Sequence, residues 1–210
     1  GHTEASVDIA KLSKLNQSAV ICEVMNEDGR MARLNDLFKF SEKHKIKLAS
    51  IADIISYRLK YEKLISRIKL KTSFFNNFEK IQIYSYKNKL DNNTNFAITK
   101  GRLNPNKSTP VRVLSVKIKK KNILGNIEIK KNLKILSKYK KFLLLLINSK
   151  NKVNDNSINT LRYYGIGAQI IKDLKVKNMI LISRSRKKII GLDGFGLKII
   201  KQKIIKWKKF

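Results

Sequence analysis

The stretch Lys141-Phe-Leu-Leu-Leu-Leu-Ile-Asn148 decides the fold, because it holds the longest wholly apolar run of the chain, Phe142 to Ile147. An apolar run of this length predicts a buried strand. Helices are predicted on either side of it, over Asn132–Lys141 and Ile158–Leu174, and a second strand follows over Asn178–Ser183. This order predicts a mixed α+β domain in the second part of the chain.

The pattern upstream of this stretch is that of successive strands. They are predicted over Lys80–Tyr86, Asn95–Thr99 and Pro110–Val116, and the Asn- and Asp-rich segment Asn88–Thr94 predicts a turn. The charged segment Lys60–Lys71 is interpreted as a junction.

The first 62 residues differ in pattern and predict an α/β layer. Helices are expected over Glu4–Leu12, from an Asn35 cap to His44, and after the capping-box pattern Ser50-Ile-Ala-Asp53; buried strands are expected over Ala19–Val24 and Ile46–Ala49, with a turn at Asn26–Gly29. We therefore predict two domains, residues 1–62 and 63–210, and an overall α/β (α+β) class.

Charge supports the same division. The 210 residues carry a formal net charge of +32, of which residues 1–62 contribute +1 and residues 63–210 contribute +31. A basic segment of this kind is typical of polyanion binding. The alternative is compositional drift, since Lys, Ile and Asn are enriched together and aromatic residues do not interleave the lysines. Both interpretations stay open.

Composition also excludes several classes of protein. The single cysteine, Cys22, excludes a disulfide framework and a cysteine-rich zinc site. The longest apolar run has six residues, whereas a membrane-spanning helix needs roughly 20. No signal peptide opens the sequence, so we expect a cytoplasmic protein with no membrane partner.

The densest cluster of polar, chemistry-bearing residues lies at the start. His2 precedes a helix, and Glu23 ends a predicted apolar strand in which Cys22 is expected to be a core residue. Apolar surroundings disfavour a charged carboxylate, so the pKa of Glu23 is expected to rise, as acid–base catalysis requires. The alternatives are a solvated His2 and a Glu23 paired with Arg30 or Arg33.

Four segments together resemble the C-terminal portion of 3,4-dihydroxy-2-butanone 4-phosphate synthase. They are Gly1-His-Thr-Glu-Ala-Ser-Val-Asp-Ile-Ala10, Ala19-Val-Ile-Cys-Glu23, Asn26-Glu-Asp-Gly-Arg-Met-Ala-Arg33 and Ile51-Ala-Asp-Ile-Ile-Ser-Tyr-Arg58. That family converts ribulose 5-phosphate into the four-carbon precursor of riboflavin and formate, with a divalent metal.

The resemblance implies roles for four residues. His2 would be a ligand of Mg²⁺ or Mn²⁺, Gly1, His2 and Thr3 would lie in the loop that holds the sugar phosphate, and Glu23 would bind substrate and act as the acid–base residue. The family's site lies at a dimer interface, so a homodimer is expected. The family's other metal-binding Glu and a further catalytic His precede the matching motif, so the chain by itself is expected to be inactive.

The remaining residues resemble the GTP cyclohydrolase II domain of bifunctional riboflavin enzymes. The matching segments are Pro110–Val113, Leu161–Leu174, Met179–Ser183 and Gly191–Leu197. The family holds zinc with three cysteines after the first of these segments, and none is present here, so no zinc is expected.

Three positions of this second family are retained in part. Arg162 matches its catalytic arginine, but the partner acid two residues earlier is Thr160. Ser183 and Lys188 match nucleotide-contacting positions. Gly165 and Gly167 are interpreted as close packing at a helix start. We therefore expect a degenerate domain and a synthase function, with GTP cyclohydrolase II activity or a basic nucleic-acid-binding module as the alternatives.

Overall fold

The chain is described here from a computed structural model. It describes residues 1–76, 79–89, 91–118, 123–148, 157–186 and 192–205; for residues 157–164 and 193 only the backbone is described. The chain forms two compact units, Gly1–Arg58 and Leu59–Phe210.

The first unit is built on three helices, α1 (His2–Leu12), α2 (Leu34–His44) and α3 (Ile51–Tyr61), and the residues of α3 from Leu59 onward belong to the second unit. The capping box predicted before α3 is confirmed. The backbone N–H and the hydroxyl of Ser50 both donate to Asp53 Oδ2, and the backbone N–H of Asp53 donates to Ser50 Oγ. The predicted cap at Asn35 is wrong, because α2 begins at Leu34 and Arg33 is its N-cap residue.

The two strands predicted in the first unit are absent. Within Gly1–Arg58, all of which the structure describes, pairing is limited to one isolated bridge between Met25 and Met31. Residues 19–24 and 46–49 are therefore not strands. An apolar run forms a strand when neighbouring strands satisfy its backbone groups, and the described residues of this unit offer no such neighbours.

The first unit accordingly has little apolar core. Ala10 is its one buried hydrophobic residue, whereas Val20 and Leu15 are 101% and 69% exposed. An ion pair of 2.7 Å between Arg58 Nη1 and Asp8 Oδ2 joins α3 to α1. This unit is therefore held by polar contacts such as this ion pair as well as by its small apolar core.

The second unit contains a seven-stranded sheet with helices packed on it. The strands are β1 (Ile65–Phe75), β2 (Glu79–Asn88), β3 (Thr94–Lys100), β4 (Thr109–Val116), β5 (Phe142–Asn148), β6 (Asn178–Ser183) and β7 (Lys198–Ile204), and the helices are α4 (Ile127–Leu136) and α5 (Ser157–Asp173), with a short 3₁₀ turn at Asp193–Phe195. The α/β (α+β) class predicted from the sequence is confirmed.

The sheet is mixed, with the strand order β1-β2-β3-β5-β4-β6-β7. The strands β1, β2, β3 and β5 pair antiparallel, while β4 pairs parallel with β5 and β6, and β6 pairs parallel with β7. The chain passes from β4 through α4 to β5, and from β5 through α5 to β6 on the other side of β4. Helical crossovers of this kind are what parallel pairing requires.

The apolar run of β5 forms the centre of the sheet. Phe142, Leu144 and Leu146 belong to a core shared with Ile129 and Leu133 of α4, all at 0–1% exposure. Leu145 instead contacts α5, where an added Cβ at Gly167 would lie 3.2 Å from it. Successive side chains thus point to opposite faces, and both faces are buried, as predicted.

Most strands of the second unit lie where the sequence places them. The exceptions are β1, which occupies much of the segment interpreted as a junction, and β7, which was not predicted. The helix expected over Asn132–Lys141 instead runs over Ile127–Leu136, because Asn126 caps it by accepting from the backbone of Glu128 and Ile129. Among the helices that the described residues form, none is long and apolar enough to cross a membrane.

Candidate active site

The structure brings His2 and Glu23 together. His2 is the first residue of α1, and its Nε2 lies 3.9 Å from Glu23 Oε1. The two side chains are 68% and 73% exposed. Gly1 and Thr3 flank His2 and are also exposed, so these four residues share one patch of the surface of the first unit.

The surroundings of Glu23 differ from those expected. The segment before it is not a buried strand, Ile21 is 47% exposed, and Cys22 is exposed, so the prediction of a core cysteine is wrong. The apolar burial expected around the carboxylate is therefore absent. Arg30 pairs instead with Asp28 at 2.6 Å, and the side chain that the structure places beside the Glu23 carboxylate is the imidazole of His2.

A hairpin follows Glu23 immediately. The backbone N–H of Ala32 donates to the carbonyl of Val24 at 2.9 Å, and that of Asn26 donates to the carbonyl of Arg30 at 2.8 Å. The predicted turn is confirmed by a hydrogen bond from the Gly29 N–H to the Asn26 carbonyl. Gly29 has a φ of +78°, a conformation that glycine adopts at low cost.

The base of this hairpin is attached to α2 by one carboxylate. Asp36 Oδ2 accepts from Asn26 Nδ2 at 3.2 Å and from the backbone N–H of Arg33 at 2.9 Å. These hydrogen bonds, first that of Arg33 and then that of Asn26, hold the pKa of Asp36 below its ordinary value. The segment that positions Glu23 is therefore fixed at both arms to the first turn of α2.

The described residues do not complete a metal site. His2 offers an imidazole nitrogen and Glu23 a carboxylate, but no group of three or more His, Cys, Asp or Glu side chains with the arrangement of a metal site occurs in the described ranges. Mg²⁺ and Mn²⁺ favour about six ligands, most of them oxygen. The pair therefore fits part of a ligand set and not a whole one.

The retained cyclohydrolase positions of the second unit are described only in part. Ser183 lies at the end of β6, is buried, and donates its hydroxyl hydrogen bond to the carbonyl of Ser185 at 2.7 Å. Arg162 lies in α5, where the structure describes the backbone alone, and Lys188 lies outside the described residues.

The glycines interpreted as packing residues do pack closely, but in the interior of α5 and not at its start. A Cβ added to Gly165 would lie 2.4 Å from Leu59 Cδ1. Gln169, one turn later, donates to the carbonyls of Leu59 and Glu62. The absence of side chains at the glycines thus allows α5 to approach Leu59 and β5.

A buried arginine in β4 was not predicted as a site residue. Arg112 is 3% exposed, and its guanidinium donates through Nε to Asn132 Oδ1 and through Nη1 to the Ile182 carbonyl at 3.0 Å. Burial, together with the charge of Arg184, lowers its pKa. The signal in the sequence is an arginine at a core-facing position of the apolar run Pro110–Val116.

Comparison with known proteins gives two family matches. Residues 1–57 match the family model of 3,4-dihydroxy-2-butanone 4-phosphate synthase, and residues 130–203 match that of GTP cyclohydrolase II. The riboflavin biosynthesis protein RibBA of Aquifex aeolicus is 33% identical over 98% of this chain and 58% of its own length. A 3,4-dihydroxy-2-butanone 4-phosphate synthase of Sulfurospirillum multivorans is 37% identical over 96% of this chain and 55% of its own.

A solved structure gives the same result for the fold. The two-domain 3,4-dihydroxy-2-butanone 4-phosphate synthase RibBX of A. baumannii has a TM-score of 0.71 and 29% identity, covering 99% of this chain and 60% of that one. The chain thus spans somewhat more than half the length of these proteins. It is similar to two-domain riboflavin biosynthesis proteins, with a stretch that matches 3,4-dihydroxy-2-butanone 4-phosphate synthase followed by one that matches GTP cyclohydrolase II.

Proposed function

We propose that this chain contributes His2 and Glu23 to the active site of a 3,4-dihydroxy-2-butanone 4-phosphate synthase, with ribulose 5-phosphate as substrate. The observation that supports this is the 3.9 Å approach of His2 Nε2 to Glu23 Oε1 on the unit that matches the synthase family. The comparisons favour this function over GTP hydrolysis and over a nucleic-acid-binding module.

In this proposal Glu23 is the catalytic acid–base residue. A carboxylate that reaches the carbon next to the ketone of the sugar can remove its proton, which leaves an enediolate. Gly1 and Thr3, which flank His2, lie within the same exposed patch and would contact the sugar phosphate. The 73% exposure of Glu23 leaves its oxygens open to a ligand.

The proposal includes Mg²⁺ or Mn²⁺, for which His2 would supply one ligand. Since the described residues offer an incomplete ligand set, further ligands would come from water, the substrate, other residues or a partner. A homodimer in the cytoplasm is part of the same proposal. The exposed apolar side chains of the first unit, among them Val20 and Leu34, support an assembly that covers them.

No zinc is included for the second unit. Its sequence contains neither Cys nor His, since Cys22, His2 and His44 all lie in the first unit. The buried residues of α4 are apolar except for Asn132, whose Oδ1 accepts from the buried Arg112. We therefore propose a non-hydrolytic second unit.

Solvent exchange tests the role of Glu23 at its first step. Full turnover is not expected of the 210-residue chain, so the assay follows the removal of the first proton alone: the chain is incubated with ribulose 5-phosphate and Mg²⁺ in D₂O, and deuterium incorporation next to the ketone is followed by NMR. Because general acid–base groups contribute about 100-fold or more, we expect Glu23→Gln to lower the exchange rate by about that factor. Glu27→Gln is the matched control, since Glu27 lies on the hairpin and its side chain is 100% exposed. Equal exchange in the parent chain and Glu23→Gln would contradict the proposal.

A further inference from the structure

We propose that Asp36, which lies outside the patch of His2 and Glu23, is a positioning residue for Glu23. The inference rests on the proposed function of Glu23. It starts from the finding that the segment carrying Glu23 belongs to no sheet and borders no apolar core, so that other contacts must fix its direction.

The hairpin after Glu23 supplies the first of these contacts. Its two arms are joined next to Glu23 by the hydrogen bond from the Ala32 N–H to the Val24 carbonyl and by the bridge between Met25 and Met31. Because Glu23 directly precedes the hairpin, the direction of its side chain depends on the position of the hairpin base.

One oxygen of Asp36 fixes that base. Asp36 Oδ2 accepts from the side chain of Asn26, on the first arm, and from the backbone N–H of Arg33, directly after the second arm. Asn26 and Asp36 are half-buried, whereas Asp28 and Arg30 at the tip are exposed. The contact thus joins both arms to the first turn of α2 at a half-buried point of the hairpin.

A helix cap alone would explain only half of this arrangement. The hydrogen bond from the Arg33 N–H caps α2, but the one from Asn26 Nδ2 adds nothing to the helix and fixes only the arm that follows Glu23. Asn26→Ala therefore separates the two roles, because it removes the contact to the arm and leaves the cap in place.

The experiment compares Asn26→Ala, Asp36→Ala and the conservative Asp36→Glu in the full chain. The first readout is the ¹H–¹³C signal of the His2 imidazole, specifically its change when Glu23→Gln is added to each background at fixed pH. We expect a clear change in the parent and in Asp28→Asn, which deletes only the ion pair at the tip. We expect that change to be lost in Asn26→Ala and Asp36→Ala and restored in part by Asp36→Glu.

The second readout is the solvent exchange of ribulose 5-phosphate. Asn26→Ala is expected to lower the maximal exchange rate about tenfold with less than twofold change in the substrate concentration at half-maximal rate, and to have no further effect in a Glu23→Gln background. Helix content by circular dichroism should stay at the parent level in Asn26→Ala.

The two readouts separate the positioning role from the proposed function. A His2 signal that responds to Glu23→Gln equally in the parent and in Asn26→Ala would overturn the positioning role, as would a parent signal that does not respond at all. A parent chain that shows the His2 response but no exchange would count against the synthase function and leave the positioning role supported.

Discussion

Replacing Gly165 by alanine tests the close packing of α5 in the second unit. An added Cβ would lie 2.4, 2.5 and 2.8 Å from three atoms of the Leu59 side chain. Distances below 3.0 Å require a shift, and Leu59 is 3% exposed, so it has little room to turn away.

Two effects of opposite sign set the change in the free energy of unfolding. Alanine in place of glycine stabilises a helix interior by about 1 kcal/mol. Overpacking of a filled site costs about 1–3 kcal/mol, and three contacts below 3.0 Å place this site near the upper limit. We therefore expect Gly165→Ala to lower the free energy of unfolding by about 2 kcal/mol.

Urea denaturation followed by circular dichroism measures this change as a lower midpoint with an unchanged slope. Gly167→Ala is the control, because its Cβ would approach Leu145 at 3.2 Å, where a small displacement suffices. That variant should stay within about 1 kcal/mol of the parent, since the gain in helix propensity offsets the contact.

A double-mutant cycle tests whether Leu59 causes the destabilisation expected in Gly165→Ala. In a Leu59→Ala background the added methyl group meets space, so Gly165→Ala should there stabilise the fold by about 1 kcal/mol. A Gly165→Ala chain as stable as the parent, or one destabilised equally in both backgrounds, would refute the packing argument.

Two further predictions concern pH. Burial, followed by the hydrogen bond of 2.7 Å to Asp173, raises the pKa of Tyr86. The neutral form of Tyr86 therefore stabilises the second unit below the ordinary tyrosine pKa near 10, and this stability is lost as the pH rises through the higher pKa of the folded state. Absorbance at 295 nm should show one tyrosine that ionises only with unfolding, a step missing in Tyr86→Phe, and ionisation of all tyrosines before unfolding would contradict this. The hydrogen bonds that Asp36 and Asp53 accept lower the pKa values of both carboxyl groups below 3.8. The two carboxylates therefore stabilise α2 and α3 above that pH, and this stability is lost as the pH falls through their lower pKa values in the folded state. The helical circular dichroism signal at 222 nm should fall in that acid range, less steeply in Asp53→Asn, and an identical acid transition in that variant would count against the caps.

The sheet of the second unit could be predicted largely from its apolar runs. The buried runs of β3 and β5 and the alternation in β2 and in the second half of β4 are local patterns that burial enforces. β1 was missed because its central residues, such as Lys69 and Leu70, are exposed on both faces and carry no alternation. β7 was missed for the same reason, with Ile200 and Lys201 both exposed.

The first unit could be predicted in its helices but not in its strands. The capping pair Ser50 and Asp53 is a local signal and identified α3 correctly. The apolar run Ala19–Val24 predicts a strand, but a sequence pattern does not reveal whether pairing partners are available, and this run forms none. The approach of His2 to Glu23 was inferred from family resemblance; no spacing in the sequence encodes it.

The two outermost strands of the sheet give the lysine surplus a physical consequence. Among the described residues β1 and β7 lie at the two ends of the strand order, and each carries several exposed cations: Arg67, Lys69 and Lys71 on β1, and Lys198, Lys201 and Lys203 on β7. When two such edges meet, like charges face each other across the gap and oppose the stacking of one sheet onto the next. Whatever its origin, the lysine surplus therefore opposes fibrous aggregation of this fold, and this effect weakens as salt screens the charges.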